Sequence, residues 1–325
     1  MTSYSQPNHR KTQLSLTLII FFLATSFSFT YAMPEQAATA PPTEILGRWD
    51  IAINMNGETK PAWLELDHSG VQTTVGRFVG VVGSARPVSE IHYNNGKFSF
   101  TIPPQWWVKK GTVTVEGTLK DDHLEGTIRY EHGATYHWIG QKAPKLVREE
   151  APEWGQPIPL FDGTNIEAWH ATGENQWVIE DGVLRSPHSG ANLVTNQKFE
   201  DFKLHIEVKY PKGSNSGIYL RGRYEMQVVD KNEVDPQNLL FGAIYGFIPA
   251  SKLVSKAGKW QKIDITLIGR MVTVVVNGET IICNREIPGI TGGALNSDES
   301  SPGPILLQGD HGPIEYRNII ITPAK

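Results

Sequence analysis

Two stretches of the chain put ionisable and polar side chains where strand geometry would gather them. In Ile218-Tyr219-Leu220-Arg221, and again in Tyr224-Glu225-Met226-Gln227-Val228 beyond Gly222-Arg223, polar and apolar residues alternate. Side chains two apart on a strand share a face, so Tyr219, Arg221, Glu225 and Gln227 are expected side by side on adjacent strands. An aromatic ring, a guanidinium, a carboxylate and an amide together suit a hydroxyl-rich ligand. The same set also reads as a solvated face with an ordinary Arg–Glu cross-strand pair, worth little. The second stretch, Ile305-Leu306-Leu307-Gln308-Gly309-Asp310-His311-Gly312, ends a strand in an imidazole and a carboxylate held between glycines. Such a loop suits acid–base work, or is a tight turn in which Asp310 bonds the backbone.

Other candidates carry less. His132 and His137, five apart on a strand, face opposite sides and with Glu131 make a poor metal set. Trp106-Trp107 reads as a sugar-stacking platform or as barrel core or rim. Gly213-Ser214-Asn215-Ser216-Gly217 has Asn where a nucleophile elbow needs Ser. The 325 residues hold one cysteine, Cys283, which excludes an internal disulfide, a CxxC redox pair and a Cys-based zinc site. Cys283 itself reads as a small buried hydrophobe. A formal charge of −4 offers no basic excess for nucleic acid.

The elements that would position these residues are strands. Short alternating runs bounded by Asn56-Gly57, Asn95-Gly96 and similar turns recur from Ile45 to Gly140 with no helix-period segment between them. They predict a small antiparallel β-barrel over 45–143, loosely lipocalin-like from Gly47-Arg48-Trp49 and His137-Trp138-Ile139-Gly140. Pro144, Pro152 and Pro157 mark an extended linker at 144–157. Beyond it, Phe202, Leu204, Ile206, Val208 and Tyr210 are expected to face a core, with Lys203, His205, Glu207 and Lys209 in water. Further hairpins at Asp181-Gly182 and Asn277-Gly278 complete the pattern of a jelly-roll sandwich over 158–325. The chain is thus expected to be all-β throughout. Residues 1–32, with His9-Arg10-Lys11 ahead of an apolar run and Thr30-Tyr31-Ala32, predict a secretory signal peptide; Ala40 offers a second cleavage point. Residues 33–44 then form a flexible lead, and the protein is expected to be exported, periplasmic or secreted, without stable membrane insertion.

The C-terminal half resembles the 3-keto-disaccharide hydrolase domain family. The resemblance rests on Leu160-Phe161-Asp162-Gly163, Trp177 with Glu180-Asp181-Gly182, Asn215 to Gly222 running into Tyr224 to Asp230, Gly242 to Gly246, and Leu307 to Gly312 with Arg317-Asn318. Gly309 departs from the family pattern, in which Gln runs directly into Asp-His. The resemblance implies a concanavalin-like jelly roll and cleavage of glycosides already oxidised to a ketone at C3. Such a ketone acidifies the C2 proton, so one base, one acid for the leaving oxygen and a donor for the developing enolate are needed. On that reading Glu225 is the base, His311 the acid or enolate partner and Arg221 the electrostatic stabiliser. Tyr219, Gln227, Asp310 and Gln308 orient the sugar or the imidazole. No cofactor is called for, and calcium finds no Asp-rich loop of ligand spacing. The alternative is a non-catalytic carbohydrate-binding or adhesion module.

Overall fold

The computed structural model describes residues 43–325 apart from 71, 104, 106–110 and 232–236. The expected signal peptide, the lead up to residue 42 and the Trp106-Trp107 pair lie outside the described residues. Eight antiparallel strands close into a barrel in sequence order: β1 (Gly47–Met55), β2 (Glu58–Ser69), β3 (Thr73–Val79), β4 (Arg86–Asn94), β5 (Lys97–Ile102), β6 (Val113–Lys120), β7 (His123–Arg129) and β8 (Thr135–Lys142). Asn56 turns β1 into β2 with φ +56° and Asn95 turns β4 into β5 with φ +49°, the left-handed conformation that two-residue hairpins demand. Trp49, Ile51, Leu64, Phe98, Phe100, Leu124 and Trp138 fill the barrel.

The second half is a two-sheet sandwich. Its larger sheet contains β9 (Ile158–Phe161), β11 (Val178–Glu180), β12 (Val183–Ser186), β14 (Phe202–Lys209), β17 (Gln261–Ile268), β18 (Met271–Val276), β19 (Glu279–Glu286) and β21 (Ile314–Pro323). The smaller runs β10 (Trp169–Ala171), β13 (Leu193–Thr195), β20 (Leu306–Leu307), β15 (Asn215–Leu220) and β16 (Tyr224–Val229), in that spatial order. Phe202, Leu204, Ile206, Val208 and Tyr210 are buried between the sheets as their alternation requires. Glu207, expected in water, is buried because Arg317 and Asn318 of β21 reach it at 2.8 and 3.1 Å. Cys283 is exposed, against expectation. Pairing slips where Val272 meets Arg285 but Val274 meets Ile282, and Asn284 takes φ +42°, so a bulge turns Cys283 outward.

The two halves share a core. Trp63 points out of the barrel yet is 0 % exposed, because it joins the sandwich cluster and meets Phe247 edge-on at 5.3 Å. Residues 144–157 run over the sandwich surface: Pro144 accepts from Arg270 at 2.9 Å, Arg148 pairs with Asp201 at 2.7 Å, and Gly155 donates to Pro323. Between the halves lies a sealed polar cluster. Glu299 accepts from Tyr224 at 2.6 Å and pairs with Arg270 at 2.9 Å. Asp50 of β1 faces it, and burial, with the charge of Glu299 adding, pushes the Asp50 carboxyl up to about 9. No helix among the described residues is long and apolar enough to cross a membrane.

Candidate active site

The smaller sheet has one face in the core and one turned away from it. Tyr219 of β15 and Glu225 of β16 are direct cross-strand partners on the second face, and Gly217 pairs with Gln227 one step along. A Cβ at Gly217 would run into the Glu225 carboxylate, so only glycine there lets the acid lie flat across the sheet. The Tyr219 hydroxyl stands 3.0 Å from Glu225 Oε2 and 3.0 Å from the Gly292 carbonyl. One phenolic proton therefore has two acceptors. When Glu225 is ionised the phenol donates to it; when Glu225 is protonated the acid donates to the phenol, whose own proton turns to Gly292.

Glu225 is 4 % exposed, and burial pushes its carboxyl up to about 8; the Tyr219 hydrogen bond and the charge of His311 pull the other way. Burial, with the charge of Glu225 adding, holds the Tyr219 phenol well above its ordinary range, so it remains a neutral donor. His311 is held above its usual value by its 2.5 Å hydrogen bond to Asp310, and the charges of Asp310 and Glu225 add to this. Ser189 and Asn192 fix this loop by accepting or donating to its backbone: Ser189 Oγ donates to Asp310 O, and Gly309 N donates to Asn192 Oδ1 at 2.8 Å. Gly309 fits because a Cβ would strike the Ala191 carbonyl and the Trp177 ring.

Gln308 also belongs to this face. Its backbone N–H donates to Gly217 O at 3.0 Å, and its side-chain Oε1 has no partner among the described residues. Asn215 Oδ1, two residues before Gly217 on the same face, is equally without one. Orphaned acceptors beside a buried acid are what a polyhydroxylated ligand would satisfy. Gln227 is buried, and its Oε1 accepts from the backbone N–H of Val228 at 3.1 Å.

Arg221 does not join them. β15 ends at Leu220, Arg221 takes φ +54°, and the alternation that would have put it beside Tyr219 breaks there. Its guanidinium, 0 % exposed, goes to the core side instead, over the Tyr224 ring and against the carbonyls of Glu299, Ser301 and Gly269. Neither an electrostatic stabiliser beside Glu225 nor an exposed Arg–Glu pair results; Arg221 satisfies main-chain carbonyls around Glu299.

Sequence patterning left three contributors unassigned. Asn215 follows from extending the same alternation by one step. Tyr245 lies in the Gly242–Gly246 stretch, whose backbone pairs along β16: Tyr245 N donates to Glu225 O at 2.9 Å. Burial, with the charge of Glu225 adding, raises its phenol to about 12, and a hydrogen bond from Gln105 opposes this. Gln105 comes from the barrel and carried no signal in the sequence. Among the described residues no three His, Cys, Asp or Glu side chains converge in a way that could hold a metal ion.

Fold and site together define a two-sheet β-sandwich protein with an acid–base constellation on one sheet face. Residues 156–322 match the 3-keto-alpha-glucoside-1,2-lyase-like domain, and the chain belongs to that family. A 3-keto-disaccharide hydrolase of Bacteroides thetaiotaomicron is 27 % identical, over 38 % of this chain and 57 % of that protein. The chain thus spans little more than half the length of this curated relative. A candidate glycosyl hydrolase of known structure from Parabacteroides distasonis is 33 % identical, with a TM-score of 0.45 over 51 % of this chain and 82 % of that one. A second from the same organism is 26 % identical, with a TM-score of 0.42 over 51 % and 98 %.

Proposed function

We propose that this protein cleaves glycosides whose sugar carries a ketone at C3, by proton abstraction at C2 and elimination at C1. The observation that carries this reading is Glu225, a buried acid poised at about 8 with neutral hydroxyls around it and the His311–Asp310 pair acting on it. A carboxylate of raised pKa is a stronger base than one in water, and a ketone at C3 brings the C2 proton within its reach. Glu225 takes that proton, and the C2–H electron pair passes into the C2–C3 enolate. The enolate re-forms the ketone as it opens a C1–C2 double bond and expels the C1 oxygen, which takes a proton from His311. Water then adds across the double bond to give the free 3-keto sugar. Hydrogen bonds from Tyr219 and Tyr245, both kept protonated, offset charge on the enolate without competing for the proton. Gln227, Gln308 and Asn215 offer amides for the sugar hydroxyls. Family membership supports the elimination route, since the family is described by a 1,2-lyase activity and a curated relative is named for 3-keto-disaccharides. The exported setting read from residues 1–32 belongs to the same proposal.

The test uses the full chain. A glucoside oxidised at C3 is expected to release free sugar while its unoxidised parent is untouched, and in heavy water the product should carry deuterium at C2. Cleavage of both without label would indicate ordinary displacement by paired carboxylates. Saturable glycan binding without cleavage would favour the carbohydrate-binding reading.

A further inference from the structure

The loop between β3 and β4 of the barrel, residues 80–85, touches two segments of the sandwich that are bonded to Glu225 or its partners. The first is 291–293. Val81 O accepts from Gly293 N at 2.9 Å, and a Cβ at Gly292 would run into the Gly83 carbonyl oxygen, so only glycine permits this approach. The second is the end of the 242–246 stretch, where a Cβ at Gly246 would run into Ser84 and the Ala85 nitrogen. Gly246 follows Tyr245, whose N–H donates to Glu225 O at 2.9 Å. The 291–293 segment is tied as directly to the acid. Thr291 Oγ1 accepts from Glu225 N at 2.9 Å and donates to Arg223 O at 3.1 Å. One residue on, the Gly292 carbonyl stands 3.0 Å from the Tyr219 hydroxyl, the second acceptor open to that phenol. Gly83, Ser84, Thr291 and Gly292 are all buried where the two halves meet.

We propose that the barrel is a working part of this site: Val81 and Gly83 are positioning residues that hold the Gly292 carbonyl where it accepts the Tyr219 proton whenever Glu225 is protonated. The inference rests on the base role of Glu225 in the function proposed above, and adds what lets that acid pass through both of its forms. Hydrogen-bond accounting carries it. The ionised carboxylate keeps its bond from Tyr219 wherever Gly292 lies. Protonated Glu225 instead donates to the phenol oxygen, and the phenol proton then needs another acceptor. Tyr219 is buried, so a phenol proton without one would cost about as much as a lost hydrogen bond. A Gly292 carbonyl fixed by the barrel loop meets that need, and therefore favours the protonated acid. The titratable groups that act on Glu225 are Tyr219 of β15, Tyr245, Tyr316 of β21, and Asp310 and His311 after β20. None of them lies on 80–85 or 291–293, so a change in either segment leaves their identities intact.

The experiment follows the Glu225 carboxyl itself, by infrared difference of the full chain against Glu225→Gln across a pH series. Gly292→Ala forces its segment off Gly83 and is expected to lower the ionisation midpoint by about 0.5 to 1 pH unit, the worth of one hydrogen bond. Removal of Val82, which is 61 % exposed, shortens the barrel loop without altering the sandwich sequence, and should move the midpoint in the same direction. Tyr219→Phe is the discriminating background, because without the phenol proton there is nothing for Gly292 to accept. Neither change should move the midpoint further in that background, a non-additivity that general loosening or entry of water would not produce. An unmoved midpoint in the folded variants, or an equal fall with and without the phenol, would overturn the inference. Midpoints that move as stated in a parent chain that turns over no 3-keto glucoside would instead remove the proposed reaction and keep the role of the barrel loop.

Discussion

On the core side of β16, Tyr224 donates to Glu299 at 2.6 Å; on its other side, Tyr219 stands 3.0 Å from Glu225. Both carboxylates are buried, both meet a phenol, and Tyr224, which meets the first, is the chain neighbour of Glu225. Their charge environments differ. Glu299 lies beside Arg270, with Arg221 on its own carbonyl, and is closed off by the barrel through Asp50. Glu225 has hydroxyls and a half-exposed histidine, and among the described residues no arginine pairs with it. A fully compensated buried acid holds structure together, because removing one partner leaves an unpaired charge. An acid left uncompensated costs stability, and what it gains is a proton that moves near neutral pH.

The sharpest way to break this contrast is to neutralise each acid in turn. Glu225→Gln is expected to lower kcat on a 3-keto glucoside by about 10³-fold or more with the fold intact; retained turnover would remove Glu225 from the base role. Glu299→Gln should instead cost about 3–5 kcal/mol in denaturant titration by stranding Arg270, with kcat of the folded fraction near parent level. A pH series refines the comparison. Glu225 ionises at about 8 in the fold, against 4.5 as its ordinary value, so the native state holds the extra proton between these limits and stability falls as pH rises through that window. Glu225→Gln should therefore match the parent at pH 4.5 and exceed it at pH 8 by on the order of 2–4 kcal/mol. Gly217→Ala, which pushes the carboxylate off the sheet, is expected to reduce kcat/KM about 10- to 100-fold with little change in melting temperature. Asp50→Asn follows the same rule: the fold holds the Asp50 proton from its ordinary 3.8 up to about 9, so the substitution is expected to be near neutral at pH 4 and increasingly stabilising in denaturant titration as pH rises toward 9.

Period-two alternation made most of this legible, and it failed where the backbone left the strand. Tyr219, Glu225, Gln227 and Gln308 come together because each sits within or at the end of a ladder whose register carries it. Arg221 lies one residue beyond a ladder, and its left-handed φ sends it to the opposite face. Cys283 was misplaced for the same reason, a bulge that shifts the count by one. The barrel and sandwich were readable from hairpin turns at regular spacing. Their joint was not, although Trp63, a large apolar residue on the outward side of an otherwise alternating strand, carried the sign of a covered surface. Gln105 and Tyr245 meet across that joint, and no local pattern encodes a contact between segments so far apart in the chain.

The segment between the halves has a consequence for how tightly they need to hold each other. Residues 144–157 are anchored to the sandwich by Arg148, by the Pro144 carbonyl and by the Trp154–Ala324 bridge. The barrel is thereby tethered by the single residue Ala143 between Lys142 at the end of β8 and the first anchor at Pro144. Short tethers impose effective concentrations of about millimolar or more, so connectivity adds to the burial of Trp63 in bringing the barrel onto the sandwich. A barrel supplied as a separate chain would have to recover through affinity what these few residues provide by covalent proximity.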